Sequence, residues 1–355
     1  MKKVLISLVI IVIVVIVGII GWYTNGLKSV TKQNSETITV EIKDGMGVQS
    51  IANLLEKNNV IKSATVMNIY AKLNNINNLK KGKYDFNNSE DLATIISHME
   101  NGKVTDESVK ITFIEGKNIR WIAKTIAEKT NNTEEDVFNL LKDEEYINSL
   151  IEEYWFITDE INDDRIYYPL EGYLLPDTYV FDNKDVSVKS IFKMILNFTE
   201  KYLNEYKDEI KNNSLTVHQI LTMASMAELE GKSTEDRAEI IGVFYNRITQ
   251  GMSLGSDVTT YYAFKVDMGD RDLTAKELNT ENPYNTRGPN MVGKIPVGPI
   301  CNPSKSAIEA TLEYKETDAL YFVADKTGKV YFTKSNSEHN KKIQELKDKD
   351  LWFIY

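Results

Sequence analysis

The residues best suited to acid–base chemistry lie at the end of the stretch TVHQILTMASMAELEG, residues 216–231. Thr216 and Gln219 have the spacing of a capping box, and Gly231 stands where a helix commonly stops in a left-handed turn, so the stretch is expected to form one helix. Leu221, Ala224 and Glu228 fall at i, i+3 and i+7, which puts the Glu228 carboxyl on the same stripe as two residues that should face a core. Burial disfavours a charged carboxylate, and that is how proteins prepare a carboxylic acid to donate a proton near neutral pH. The plainer alternative is a side chain that curls out to solvent from a fraying helix end. Glu230 lies off the stripe, about 200° around the helix from Glu228.

Other chemistries find little support. The formal net charge is −10 over 355 residues, and no Lys/Arg block interleaves with aromatics, so no nucleic-acid partner is expected. His98, His218 and His339 are scattered without a cysteine cluster, and neither a metal nor a cofactor is expected. No G-x-S-x-G elbow is present to build a serine triad. Cys301 is the single cysteine and cannot form an intramolecular disulfide; beside Ile300 it reads as a small apolar filler.

The elements that must position the acid begin with an anchor. After Lys2 and Lys3, residues 4–23 are uncharged and close to the ~20 residues that cross a bilayer as a helix, with Trp22 and Tyr23 at its edge. The run lacks an A-x-A-like cleavage site, which favours a retained anchor over a signal peptide. Residues 24–36 are polar and aperiodic and read as a linker. Next, ITVEIKDGMGVQSIANLLEK and VKITFIEGKNIRWIAKTIAEK repeat a strand, an acidic-Gly turn and an amphipathic helix, with Gly45 matched to Gly116. Alternation puts Ile38, Val40 and Ile42 on one face, for Ile51, Leu54 and Leu55 to cover. The segment 131–213 is helical and acidic, broken by the Pro- and Gly-marked loop YYPLEGYLLPDTYVF. Past the central helix, IIGVFYNRI has helical spacing, residues 282–304 form a long irregular run typical of binding loops, and ALYFVAD with KVYFTKS forms a hairpin around Lys326 to Lys329.

ASMAELE, VFYNRITQGMSLGSDVTTYYA, NPYNTRG, PVGPICNPSKSAIEA and LYFVAD, in that order, resemble the membrane-anchored endolytic murein transglycosylases of the YceG-like family (MltG), over most of the chain. The resemblance implies an α+β protein with residues 1–3 cytoplasmic, a transmembrane helix at 4–23, a linker at 24–36, a LysM-like domain at 37–103 and an extracytoplasmic catalytic domain at 104–355. Within the last, 104–165 holds the second strand–helix unit and a helical segment, and 166–355 the catalytic core with a lysozyme-like active-site helix. It implies peptidoglycan glycan strands as substrate, a single-pass place in the cell membrane, and peptidoglycan synthases and the elongation or division machinery as partners. The LysM-like domain either binds sugar or sets the height of the active site.

By the same resemblance Glu228 is the catalytic acid and base, and Tyr261, Asn285, Thr286, Asp257, Tyr173 and Glu171 are substrate-binding candidates. Each has a plainer alternative. Asn285 either contacts sugar or closes an Asx-turn; Tyr173 and Tyr179 either line a groove or fill a core; Glu171, beside Gly172, is either a second acid or a turn residue. Asp257 and Tyr261 match the family's T-D-P-T-V-x-Y segment, with Val258 in place of Pro, and Leu170 replaces a proline in the YYPLEGY loop. Lytic cleavage needs one carboxyl, whereas a muramidase needs a second about 5 to 9 Å away, with Asp257 and Glu171 the candidates. A wall-binding scaffold without catalysis is the remaining reading.

Overall fold

The computed structural model describes residues 2–32, 35–102 and 108–352, and the chain divides into two compact units, Met1–Glu107 and Ser108–Tyr355. The boundary expected at 103/104 falls on residues outside the described ones.

The first unit opens with α1 (Lys2–Gly26), whose apolar span Ile6–Gly26 has no buried share. At 1.5 Å per residue its 25 residues reach about 37 Å, longer than a ~30 Å hydrocarbon core. A β–α–α–β module follows: β1 (Thr37–Ile42), α2 (Val48–Lys57), α3 (Ala64–Leu73) and β2 (Gly82–Asn87), then α4 (Leu92–Asn101). The strands are antiparallel, Thr37 opposite Asn87 and Ile42 opposite Gly82. Val40 and Ile42 point inward as their alternation requires, onto Ile51 and Leu55 of α2 and Ile95 and Met99 of α4, while Leu54 is partly buried. The segment whose composition reads as a linker is sewn to this module. Leu92 N donates to Leu27 O (3.0 Å), Thr31 N to Asn88 O (3.2 Å) and Glu36 N to Asn88 Oδ1 (3.0 Å).

The second unit runs β3 (Val109–Thr112), α5 (Ile119–Lys129), α6 (Glu134–Leu141), α7 (Glu144–Glu153), β4 (Thr178–Phe181), α8 (Val188–Leu203), α9 (Lys207–Asn212) and α10 (Val217–Glu230). It continues through α11 (Thr234–Thr249), α12 (Asp257–Ala263), α13 (Ala275–Leu278), α14 (Lys305–Leu312), the hairpin β5 (Tyr321–Ala324) and β6 (Val330–Thr333), and α15 (Asn336–Asp348). The two sequence repeats share their turn, Gly45 and Gly116 both taking left-handed φ (+79° and +71°), but not their pairing. β1 pairs within its own module; β3 pairs with the distant β4, Val109 opposite Phe181.

α10 is the axis of this unit. Val217, Ile220, Leu221 and Ala224 belong to one apolar cluster with α5 to α8, whereas Met223, Met226 and Ala227 belong to a second with α11 and α12. Every residue from Val217 to Ala227 except Gln219 is buried. A helix buried all round exposes polar side chains only at its ends, and its C-terminal end carries Glu228 and Glu230.

Candidate active site

The N-terminus of α10 forms as its sequence requires. Thr216 Oγ1 accepts from Gln219 N (3.2 Å), and Thr216 N donates back to Gln219 Oε1 (3.1 Å). The C-terminus differs from expectation. Gly231 is extended (φ −112°, ψ 139°), not left-handed. Its role is close approach: a Cβ there would lie 2.9 Å from Arg237 Cγ and 3.0 Å from Arg237 N. The missing side chain lets the start of α11 fold under the end of α10, where Arg237 Nε donates to Gly231 O (3.0 Å).

Arg237 then reaches Glu228. Its Nη2 donates to Glu228 Oε1 at 2.8 Å, in a pair whose side chains are 10% and 6% exposed. The other carboxylate oxygen accepts from Ser304 N (2.9 Å) and from Ser304 Oγ, at the N-cap of α14. Arg237 Nη1 also donates to Ser306 Oγ (2.7 Å). The Glu228 side chain is largely buried, but both its oxygens are partnered and it joins α10, α11 and α14. Charge-assisted bonds of this kind are strong and geometrically fixed. The sequence suggests a carboxyl set by burial alone; the structure adds two partners, Arg237 and Ser304.

Glu230 has the other environment. It is partly buried and accepts one side-chain hydrogen bond, from Ser256 Oγ at 2.6 Å. Burial pushes its pKa up to about 7; the Asp257 charge acts in the same direction, while the Ser256 bond, Arg287 and Arg247 oppose it. A carboxyl poised near neutrality at the end of a buried helix is suited to giving and taking a proton.

Ser256 is held in place from several sides. Its N donates to Thr286 Oγ1 (2.9 Å), its carbonyl accepts from Thr259 Oγ1 (2.7 Å), and the two threonine hydroxyls bond each other at 2.8 Å. Arg247 Nη1 donates to Leu254 O (2.7 Å) just before it. Thr286 is fully buried and its hydroxyl holds Ser256. Asn285 is fully buried too: its Oδ1 accepts from Thr260 Oγ1 (2.6 Å) and its Nδ2 donates to Glu277 O (3.0 Å) and Thr280 O (2.7 Å). Both residues brace the loop from within.

The remaining candidates separate. Asp257 is about half exposed, ion-paired with Arg287, and close enough to act on Glu230. Tyr261 is buried, with its hydroxyl donating to Arg271 O (3.3 Å), and lines a hollow of about 420 Å³ between the β3–α5 turn and α12. Leu229, between the two glutamates, is another wall of that hollow. Tyr173 is a core residue, fully buried and bonded through its hydroxyl to His218 Nδ1 (2.7 Å), and Tyr179 is likewise buried. Glu171 is also interior. It accepts from Ile119 N (3.1 Å), Tyr262 Oη (3.0 Å) and Asn302 Nδ2 (3.3 Å), and burial raises its pKa to about 8. Gly172 beside it is left-handed (φ +84°), and a Cβ there would meet Pro299 at 2.4 Å. Cys301 is buried and burial pushes its thiol up, in keeping with a filler.

A larger cleft, about 1240 Å³, opens at the opposite end of α10 beside His218 and Gln219. The 14 residues of the helix put roughly 20 Å between its ends, so the smaller hollow is the one beside the glutamates.

The chain has clear relatives. The YceG-like family's sequence model matches residues 40–345. The chain is 39% identical over 316 residues to the endolytic murein transglycosylase of Bacillus subtilis (strain 168), covering 89% of this chain and 86% of that protein. It is 33% identical over 338 residues to the endolytic murein transglycosylase of Streptococcus pneumoniae serotype 2, covering 90% of this chain but only 60% of that longer protein. The crystal structure of the yceG-like protein lmo1499 from Listeria monocytogenes superposes with a TM-score of 0.62 at 37% identity, covering 87% of this chain and all of that one. With most of its length matched at this level, the chain belongs to the YceG-like family.

Proposed function

We propose that this chain is an endolytic lytic transglycosylase of peptidoglycan in which Glu230, rather than Glu228, is the acid and base. The observation that carries the assignment is the contrast at the end of α10: Glu228 is bound by Arg237 and Ser304, while Glu230, among the described residues, is hydrogen-bonded by Ser256 alone and its pKa is pushed up to about 7.

The chemistry follows from one carboxyl. Protonated Glu230 gives its proton to the glycosidic oxygen as the bond to C1 of N-acetylmuramic acid breaks, and the departing sugar leaves with a free hydroxyl. The resulting carboxylate takes the proton of the C6 hydroxyl on the same muramic residue. That oxygen closes onto C1, forming a 1,6-anhydro ring and restoring the acid. Intramolecular attack replaces water and gains from proximity.

Asp257 supports a second reading. Its charge reaches Glu230, as a two-carboxylate muramidase would require, but its pairing with Arg287 commits the group elsewhere. Cleavage of uncrosslinked strands in heavy-oxygen water separates the two. Anhydro ends, lighter than reducing ends by one water and unlabelled, are expected; labelled reducing ends would establish the hydrolase.

The apolar helix α1 supports retention as a single-pass anchor with the bulk outside. The full chain should stay in membranes through a high-salt wash, and recovery of a chain beginning near Thr24 from the medium would show a cleaved signal instead. The β–α–α–β module fits a LysM-like domain, with a hollow of about 450 Å³ between its first turn, around Gly45, and the loop at Leu79 as the place where a sugar would sit.

A further inference from the structure

The hollow beside Leu229 has a composition unlike the rest of this acidic chain. Trp121, partly exposed, and Tyr261 supply aromatic wall, and Lys117, Arg120 and Lys124 surround it. Asp267 on its rim is taken up by Arg120, whose Nη2 donates to Asp267 Oδ1 and Nη1 to Lys265 O, both at 2.8 Å. Lys117 and Lys124 are exposed and make no ion pair among the described residues; Glu134 is the other acidic side chain lining the hollow.

Lys117 is also fixed relative to the glutamates. Its carbonyl accepts from Asn302 N (3.0 Å) and Asn302 Nδ2 (3.1 Å), and Gly116 N donates to Asn302 O (3.0 Å). Two residues on, Ser304 holds Glu228. A Cβ at Gly116 would come within 3.2 Å of Leu229 and 3.5 Å of Glu228 Cγ, so the turn lies directly against the end of α10. Lys117 lies in that turn just before α5, and Trp121 and Lys124 follow at i and i+3 along one side of the helix.

We propose that this hollow is a specificity subsite for the peptide stems of the glycan, Lys117 and Lys124 taking stem carboxylates while Trp121 and Tyr261 pack against the apolar face of a sugar. It rests on the transglycosylase reading, and it makes stem-bearing strands the preferred substrate over bare glycan.

The test uses the full chain in detergent, with Glu230→Gln to stop cleavage, and measures affinity for two probes: uncrosslinked strands with stems, and the same strands stripped of stems by an amidase. Stem-bearing strands should bind about 3- to 10-fold tighter at low salt, because exposed ion pairs each contribute modestly and are screened. In the double variant Lys117→Ala/Lys124→Ala that ratio should fall to near one, Lys→Arg at both positions should keep it, and Lys→Glu at both should invert it. A ratio unchanged by the alanine and glutamate pairs, or a ratio of one before any substitution, would overturn the subsite while leaving the function standing if the unsubstituted Glu230 protein still cleaves both strands. Strands neither bound nor cleaved would overturn both. Thermal unfolding of each variant checks that these exposed changes leave the fold intact.

Discussion

Glu228 and Glu230 leave the same helix two residues apart, yet they meet different parts of the molecule. Glu228 faces Arg237 and the N-cap of α14, and its carboxylate bonds fasten three helices. Glu230 faces the turn before α12, whose own bonds are spent on holding Ser256 in place. Helix position set neither environment. Segments that arrive much later in the chain did, so one carboxylate is tied to three helices and its neighbour is left desolvated with a raised pKa.

The contrast breaks most visibly in turnover. Glu230→Gln should keep the fold and lose ~10²-fold or more in kcat, since positioned proton transfer is typically worth 10² to 10⁴. Steady-state cleavage with a parallel melting curve checks it; equal activity losses in Glu228→Gln at unchanged stability would erase the distinction. Arg237→Ala should instead act on stability. Removing one partner of a buried pair costs about 3 to 5 kcal/mol, which denaturant unfolding would detect as a lowered midpoint.

A smaller effect lies in the pH dependence of folding. Glu171 has a raised folded pKa, about 8, against an ordinary carboxyl value when unfolded. Its protonated form is the one the fold favours, so that contribution is complete below about pH 4.5 and is lost as pH rises toward 8. Melting temperature should decline over that window, and Glu171→Gln, which mimics the protonated acid, should flatten the decline. The smallest effect sharpens the Glu230 side. Asp257 raises the pKa of Glu230, so Asp257→Asn should move the alkaline limb of kcat/KM, expected near pH 7, downward by a fraction of a unit. A shift upward would mean that the freed Arg287 acts otherwise than described.

Much of this was legible in the residues. The capping box at Thr216, the inward alternation of Val40 and Ile42, the glycine turns of both repeats and the closing hairpin follow from local spacing. The choice between the glutamates did not, for a physical reason. An apolar stripe identifies a buried face only on a helix that has an exposed one, and α10 is buried on both sides, so the stripe through Leu221 and Ala224 carried no information about its last turn. Asn285, Thr286 and Tyr173 were drawn toward sugar by the look of their loops, and each spends its polar atoms inside the protein. Two sequence signals did point to the arrangement: Gly231 six residues before an arginine, and Ser256 opening a short helix of aromatics.

The most direct measurement is a carboxyl-carbon NMR titration of protein labelled in its glutamates, compared with the Glu230→Gln and Glu228→Gln variants. Beside the Glu171 resonance, which titrates near 8 in all three proteins, a second one titrating near pH 7 should be present in the parent protein and in Glu228→Gln, and absent from Glu230→Gln. If the titration near 7 persists in Glu230→Gln and vanishes in Glu228→Gln, the acid is on the other side of the helix end and the assignment is wrong.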